Sequence, residues 1–289
     1  MPRHGGGTRW LPAVLLLSGL LAAAPPALGA RARIVSNGSR SQPVVALTFD
    51  DGDSPAAVSS ILGILRAADV PATFFPIATA MRAAPAVWQR VANAGYPIGN
   101  HSVTHPELTK LSDARLRYEV QEATAIITAT SGRPPIDVLR PPYGAWNGRV
   151  AAAAAAGGYP TLMLWDVDPR DWSGIAATTI VERVLGAARD GSVILLHAGP
   201  NHTPEALPAI IAGLRARGFG FATVPQLIGS VGAGVGGGLG SPVRVAIPQP
   251  SVRNVAAPVR PTPARPLGRV SVILPAPDPR IDRHLLPLT

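Results

Sequence analysis

Val44-Val45-Ala46-Leu47-Thr48-Phe49 runs without a break into Asp50-Asp51-Gly52. An apolar run that lacks the alternation of a half-exposed strand suits a strand covered on both faces, as in a parallel sheet packed by helices. The two acids that follow would sit at the end of that buried strand. A carboxylate there is costly unless it is paired or bound to a metal ion. Adjacent positions point in different directions, so one carboxylate can hold a metal while its neighbour handles a proton. A surface Asp-Asp-Gly turn is written with the same three letters, and the remainder of the chain has to separate the two.

Outward from this strand, helical and strand signals alternate. Residues 54–68 read as a helix, with Ser54 and Pro55 suited to its cap and first turn. Residues 72–76 form a second strand, 85–94 a helix stopped by Gly95, and 97–99 a short third strand. A long amphipathic helix covers 112–131, with Ser112 as its cap and Gly132 as its stop. Further strands fall at 138–140, 161–165, 193–196 and 219–223, with helices near 147–157, 175–189 and 204–217. This βα repetition predicts one parallel α/β domain over residues 30–229, and in a barrel the loops after the strands share one mouth.

Polar residues gather where the apolar strands stop. His101 and His105 lie four apart after the third strand, and with Asp51 they offer two imidazoles and one carboxylate. Such a set leaves positions open for water and substrate. Cysteine is absent, which removes disulfides, thiolate metal sites and Cys nucleophiles together. Zinc in an N/O site is the natural occupant, with non-haem iron as the alternative for the same ligands. Three more segments end strands: Leu139-Arg140-Pro141-Pro142-Tyr143-Gly144, Asp168-Pro169-Arg170-Asp171-Trp172 and Leu195-Leu196-His197. Singly they read as a turn, a loop and a core histidine. Their ordered recurrence after strands is what points to a site.

The set TFDDG (48–52), HSVTH (101–105), RPPYG (140–144), DPRDW (168–172) and LLH (195–197) resembles the polysaccharide deacetylases of the NodB-homology type, carbohydrate esterase family 4. Every motif position is filled, in order, across essentially the whole predicted domain. The resemblance implies an α/β fold of the distorted (β/α)7-barrel type and a metal-dependent hydrolase that removes N-acetyl groups from amino-sugar glycans. It implies Asp51, His101 and His105 as ligands of a divalent metal, usually Zn2+, that polarises the acetamide carbonyl and activates a bound water. Asp50 would be the general base and Arg140 the group that holds it. The Tyr143 backbone N–H would stabilise the oxyanion. His197 would be the general acid, oriented and kept protonated by Asp171, while Trp172 and Leu195 would wall the acetyl methyl. Acetate and a glucosamine-containing glycan would be the products.

The 289 residues carry a formal charge of +9, which invites a nucleic-acid reading. The charge is displaced to the ends: residues 1–29 hold +2, 30–229 hold +2 and 230–289 hold +5. No nucleic-acid partner is therefore expected of the globular part. The start of the chain, basic and then apolar through LPAVLLLSGLLAAA, has the pattern of a secretory signal over residues 1–29, with an uncleaved anchor as the alternative. Export to the cell envelope or beyond is expected. Residues 230–289, rich in Gly, Pro and Arg, read as a disordered tail whose arginines can meet anionic envelope polymers, with a short strand possible at 270–274. Peptidoglycan is the first-choice substrate, followed by chitin oligomers and, through O-acetyl esterase activity, xylan. A wall protein that binds glycan without turnover is the competing class, and intact Asp50 and His197 argue against it.

Overall fold

The computed structural model describes Met1 and residues 29–232. The expected export segment and the Gly/Pro/Arg-rich tail, with its short strand, fall outside the described residues apart from their inner edges. Seven strands are described: β1 (Arg33–Val35), β2 (Val44–Asp51), β3 (Ala72–Pro76), β4 (Val138–Leu139), β5 (Thr161–Met163), β6 (Val193–His197) and β7 (Gly220–Phe221). All their ladders are parallel, in two sheets: β1-β5-β4 and β3-β2-β6, with β7 beside the start of β2.

Single bridges join the sheets, Phe74 to Ile98 and Asn100 to Leu139 on one side and Val167 to Ile194 on the other. The architecture is a distorted (β/α)7-type barrel that no continuous ladder closes. The expected strand at 97–99 is one of these joints rather than a strand. Pro97 has no amide donor, so the segment is pinned only by Phe74 N–H to Pro97 O, Gly99 N–H to Phe74 O and Ile136 N–H to Ile98 O.

The helices form where their caps are written. In α1 (Pro55–Ala67) the Ser54 side chain accepts from the Ala57 amide, and Pro55 opens the first turn. Two helices follow β3: α2 (Ala78–Ala83), which the sequence did not announce, and α3 (Pro85–Asn93). Next comes α4 (Asp113–Ser131), capped by Ser112 and ended by Gly132 in the left-handed region at φ 76. A run of alanines, the best helix former, makes α5 (Gly148–Ala156), with Asn147 accepting from two amides. The series ends with α6 (Ala177–Ala187), α7 (Thr203–Ala216) and α8 (Val224–Gly232). This last helix runs past residue 229. Val224 and Leu227 pack on Ala46, Phe75, Val138, Met163 and Val193, filling the barrel interior beneath the strand ends that carry the polar motifs. The larger core lies outside β2, β3 and β6, where Phe49, Phe74, Leu196 and Trp88 are buried against the surrounding helices.

Candidate active site

Strand register places the first pair. Asp50 on β2 is opposite Phe75 on β3 and His197 on β6, so the acid and the histidine are neighbours across one parallel ladder. Asp51, the last residue of β2, has φ 67, which breaks the strand's alternation, and both carboxylates reach the same His101 Nε2, Asp50 at 3.7 Å and Asp51 at 3.6 Å. Gly52 follows at φ 76, with fully buried Trp88 so close that a Cβ would lie 2.2 Å from the indole. Only glycine fits there.

Asp51, His101 and His105 each aim one ligand atom into a volume where all three atoms lie within 4.8 Å of one another. The Nε2 atoms of His101 and His105 are both 3.6 Å from Asp51 Oδ1. His101 Nδ1 lies 2.7 Å from the Arg140 carbonyl oxygen. A carbonyl only accepts, so Nδ1 carries the proton and Nε2 presents its lone pair. Burial and the nearby His101 lower the pKa of His105 despite the opposing acids, which favours the neutral, ligating form. For Asp51, burial works against ionisation, but the His101 contact and the surrounding imidazoles prevail and hold its carboxyl below the usual range. Asp51 Oδ1 is nevertheless buried with no hydrogen-bond partner. Two imidazole nitrogens converging on one orphaned carboxylate oxygen fit a divalent cation.

Behind this set, Arg140 is fully buried. Its NH1 donates to Asp50 Oδ1 at 2.6 Å and to Thr48 Oγ1 at 2.8 Å, and its other nitrogens reach the Met163 and Leu164 carbonyls. The guanidinium lies 4.2 Å from the Phe75 ring centroid and 5.8 Å from that of Trp165. Burial lowers the Arg140 pKa and Asp50 opposes that shift. An arginine stays charged in proteins, so Asp50 is its compensating anion. Asp50 Oδ2 remains on the cavity side, 3.7 Å from His101 Nε2.

His197 is held from the opposite side. Its Nδ1 lies 2.8 Å from Asp171 Oδ1, and its backbone amide donates to Asp171 Oδ2 at 2.7 Å. The Thr203 hydroxyl donates to the same Oδ2, so a completely buried carboxylate is ringed by donors. Burial of the His197 ring opposes protonation. The Asp171 hydrogen bond and charge, reinforced by Asp50 and Asp51, outweigh it and raise the pKa to about 9.

A cavity of about 490 Å³ collects Asp50, Asp51, His101, His105, Tyr143, Trp172, Leu195 and His197 along one lining, while Arg140 and Asp171 stand behind it. Every residue singled out from the sequence is thus on the wall or one contact away. Trp172 is 53% exposed, with the Arg170 guanidinium 5.3 Å from its ring, and Tyr143 stacks edge-on to His105 at 4.6 Å. Two further residues share the wall: Trp165, at the end of an apolar run, and Asp168, quoted within its motif but given no role. Thr48 and Thr203 also escaped notice, because their partners lie far away in the chain.

Of the six non-glycine residues at positive φ among the described residues, Asp51, Ser102, His105, Tyr143 and Arg170 all belong to these loops. Each such backbone costs about 1–3 kcal/mol, so the surrounding contacts must over-determine the loops.

Residues 37–162 match the family profile described as Polysaccharide deacetylase. The chain is 36% identical over 194 residues to a chitooligosaccharide deacetylase of Rhizobium leguminosarum bv. trifolii, covering 62% of this chain and 89% of that relative. The crystal structure of the Bc1960 peptidoglycan N-acetylglucosamine deacetylase, in complex with 4-naphthalen-1-yl-N-oxidanyl-benzamide, superposes with a TM-score of 0.65 at 34% identity, covering 68% of this chain and 93% of that one. BA3943, a CE4 family pseudoenzyme from Bacillus anthracis, superposes with a TM-score of 0.64 at 26% identity, covering 68% of each chain. Profile, sequence relatives and fold agree with the motif geometry: the chain belongs to the polysaccharide deacetylase family, the NodB-homology or CE4 group of metal-dependent hydrolases.

Proposed function

We propose that the protein is an exported N-deacetylase of envelope glycan, with peptidoglycan as its substrate and acetate as the released product. The observation that carries this reading is the pairing of two differently held groups across one ladder. Asp50 is bound to a buried cation, and His197 is bound to a buried anion, with the Asp51–His101–His105 set beside them.

An amide is a poor electrophile and its amine a poor leaving group, so hydrolysis needs a polarised carbonyl, an activated water and a proton donor. A divalent cation held by Asp51, His101 and His105, zinc by the donor set, would supply Lewis acidity toward the carbonyl and lower the pKa of water. Asp50 takes the proton of the attacking water through Oδ2, while Arg140 holds Oδ1 and fixes the carboxylate plane. The Tyr143 N–H stabilises charge developing on the carbonyl oxygen. His197 gives its proton to the departing sugar amine, and Asp171 keeps that proton in place until then. Trp172 and Leu195 border the acetyl methyl.

Similarity to a peptidoglycan deacetylase structure and the secretory pattern of residues 1–29 support the choice of glycan and compartment. Chitin oligomers are the second reading, favoured by similarity to a chitooligosaccharide deacetylase. The test is acetate release by the purified, zinc-supplied protein from peptidoglycan, chitin oligomers and acetylated xylan in parallel, with chelator and Asp50→Asn controls. Chelator-sensitive release, fastest from peptidoglycan and lost in the variant, is the expected result. No release from any of them, with zinc demonstrably bound, would move the protein to the glycan-binding class.

A further inference from the structure

The loop between His101 and His105 is secured in an unusual way. None of the amides of residues 102 to 105 is held by a backbone carbonyl; all four donate to side-chain oxygens. Ser102 N–H donates to Asn100 Oδ1 and His105 N–H to Ser102 Oγ, both within the loop itself. The two between them, Val103 N–H and Thr104 N–H, donate to a single atom, Glu119 Oε2 on α4, at 2.8 and 2.9 Å. Oε1 of the same carboxylate accepts from the Thr104 hydroxyl at 2.9 Å and from Arg115 at 2.7 Å. Glu119 is completely buried, and Arg115, one turn earlier, is half-exposed.

A buried carboxylate is a poor choice for filling space on a helix. This one has its lone pairs engaged, and three of its four bonds go to the residues that separate the two histidines. The loop also holds Ser102 at φ 67 and His105 at φ 61. Without Glu119, the Val103 and Thr104 amides would have to turn outward for partners, and His105 would turn with them. On the α2 side, the loop is tied only through the Ser102 and Val103 carbonyls, which accept from Ala78 and Thr79.

We propose that Glu119 is a positioning residue for the metal site, an anionic clamp from α4 that keeps the His101–His105 loop in its ligating conformation. The inference rests on the reading of Asp51, His101 and His105 as metal ligands. It assigns Glu119 no contact with substrate or reacting atoms. Groups beyond the ligands themselves commonly set metal affinity in this way.

The experiment compares the full-length protein with its Glu119→Gln and Thr104→Val variants. Three quantities are read: the zinc dissociation constant by competition with a chelating dye, the visible spectrum of the Co2+-loaded protein, and the stability of the metal-free form. Glu119→Gln keeps the shape but loses the charge, and it should weaken zinc binding about 10- to 100-fold and alter the Co2+ bands. Thr104→Val removes one of the four bonds and should weaken zinc about threefold. Zinc affinity and Co2+ bands that match the parent protein in Glu119→Gln, even with reduced metal-free stability, overturn the proposal and leave Glu119 a packing brace. If Glu119→Gln does not fold, Thr104→Val decides: unchanged affinity overturns the clamp and weakened affinity supports it. Failure of the parent protein to bind zinc or Co2+ would instead sink the ligand assignment, and the clamp with it.

Discussion

Replacing Asp171 by Asn removes one charge from behind His197 while keeping the size of the side chain. The histidine stands at about 9 against an ordinary 6.5. The difference is worth about 3 kcal/mol in favour of the protonated ring. Burial acts in the opposite direction, so Asp171 supplies most of this, with smaller shares from Asp50 and Asp51. A cation at the ligand set would offset those smaller shares and leave Asp171 as the dominant control. In Asp171→Asn the burial penalty persists while the largest opposing contribution is gone, and the His197 pKa should fall by about two units. The assay is kcat/KM for deacetylation of a soluble N-acetylated oligosaccharide across pH. The activity of a general acid is lost as pH rises through its pKa, so the alkaline limb should stand near 9 in the parent protein and move down by about two pH units in the variant. Stability follows the same sign. The folded-state pKa is raised, so the pair contributes fully below about 6.5 and its contribution is lost as pH rises through about 9. Asp171→Asn should flatten this dependence in denaturation measured across that window. An alkaline limb that stays in place in the variant refutes the assignment of His197 as an acid controlled by Asp171.

Asp50→Asn should abolish turnover and also destabilise the fold by about 3 kcal/mol, because it leaves the Arg140 guanidinium buried without its anion; urea denaturation with unchanged stability would contradict that account. Zinc at about a hundred times its dissociation constant should stabilise the protein by about 2.7 kcal/mol, seen as a melting temperature that falls with chelator and returns with metal. Gly52→Ala places a methyl group against Trp88 in a backbone region that disfavours side chains, and a soluble variant with parental melting temperature and turnover would show that the collision is absorbed.

Much of the site was legible because its chemistry is written in short motifs at strand ends, and β2 was legible because strands covered on both faces are apolar throughout. Its ladder still runs two residues past Phe49, since Asp50 and Asp51 keep strand pairing although their letters suggest a turn. Helix α4 announced itself through Ser112 and Gly132, whereas α2 has Ile77 at its N-cap position, makes no side-chain cap bond and had nothing to announce it. Helix α8 did have a signal. Thr223 and Gln226 exchange hydrogen bonds as a capping box, but the segment follows a strand directly and leads into a Gly-rich stretch, so residues 224–229 fall in the expected domain with no helix assigned to them. The supporting shell was illegible for a different reason. Thr48 meets Arg140 across 92 residues and Thr203 meets Asp171 across 32, and Glu119 looks like any acid on an amphipathic helix. Only the closed chain reveals them.

The register of Asp50 against His197 means that the two groups proposed to handle protons stand on backbone positions one interstrand step apart. Parallel strands hold that step at about 4.8 Å through their hydrogen bonds. The sheet is therefore the gauge block of the reaction, machined once and indifferent to what the surrounding loops do. Tyr143 and Trp172, carried on the loops and open to solvent, can be exchanged or reshaped to admit a different glycan without resetting the distance between donor and acceptor. Substrate choice and proton transfer are thus separately adjustable parts of one barrel.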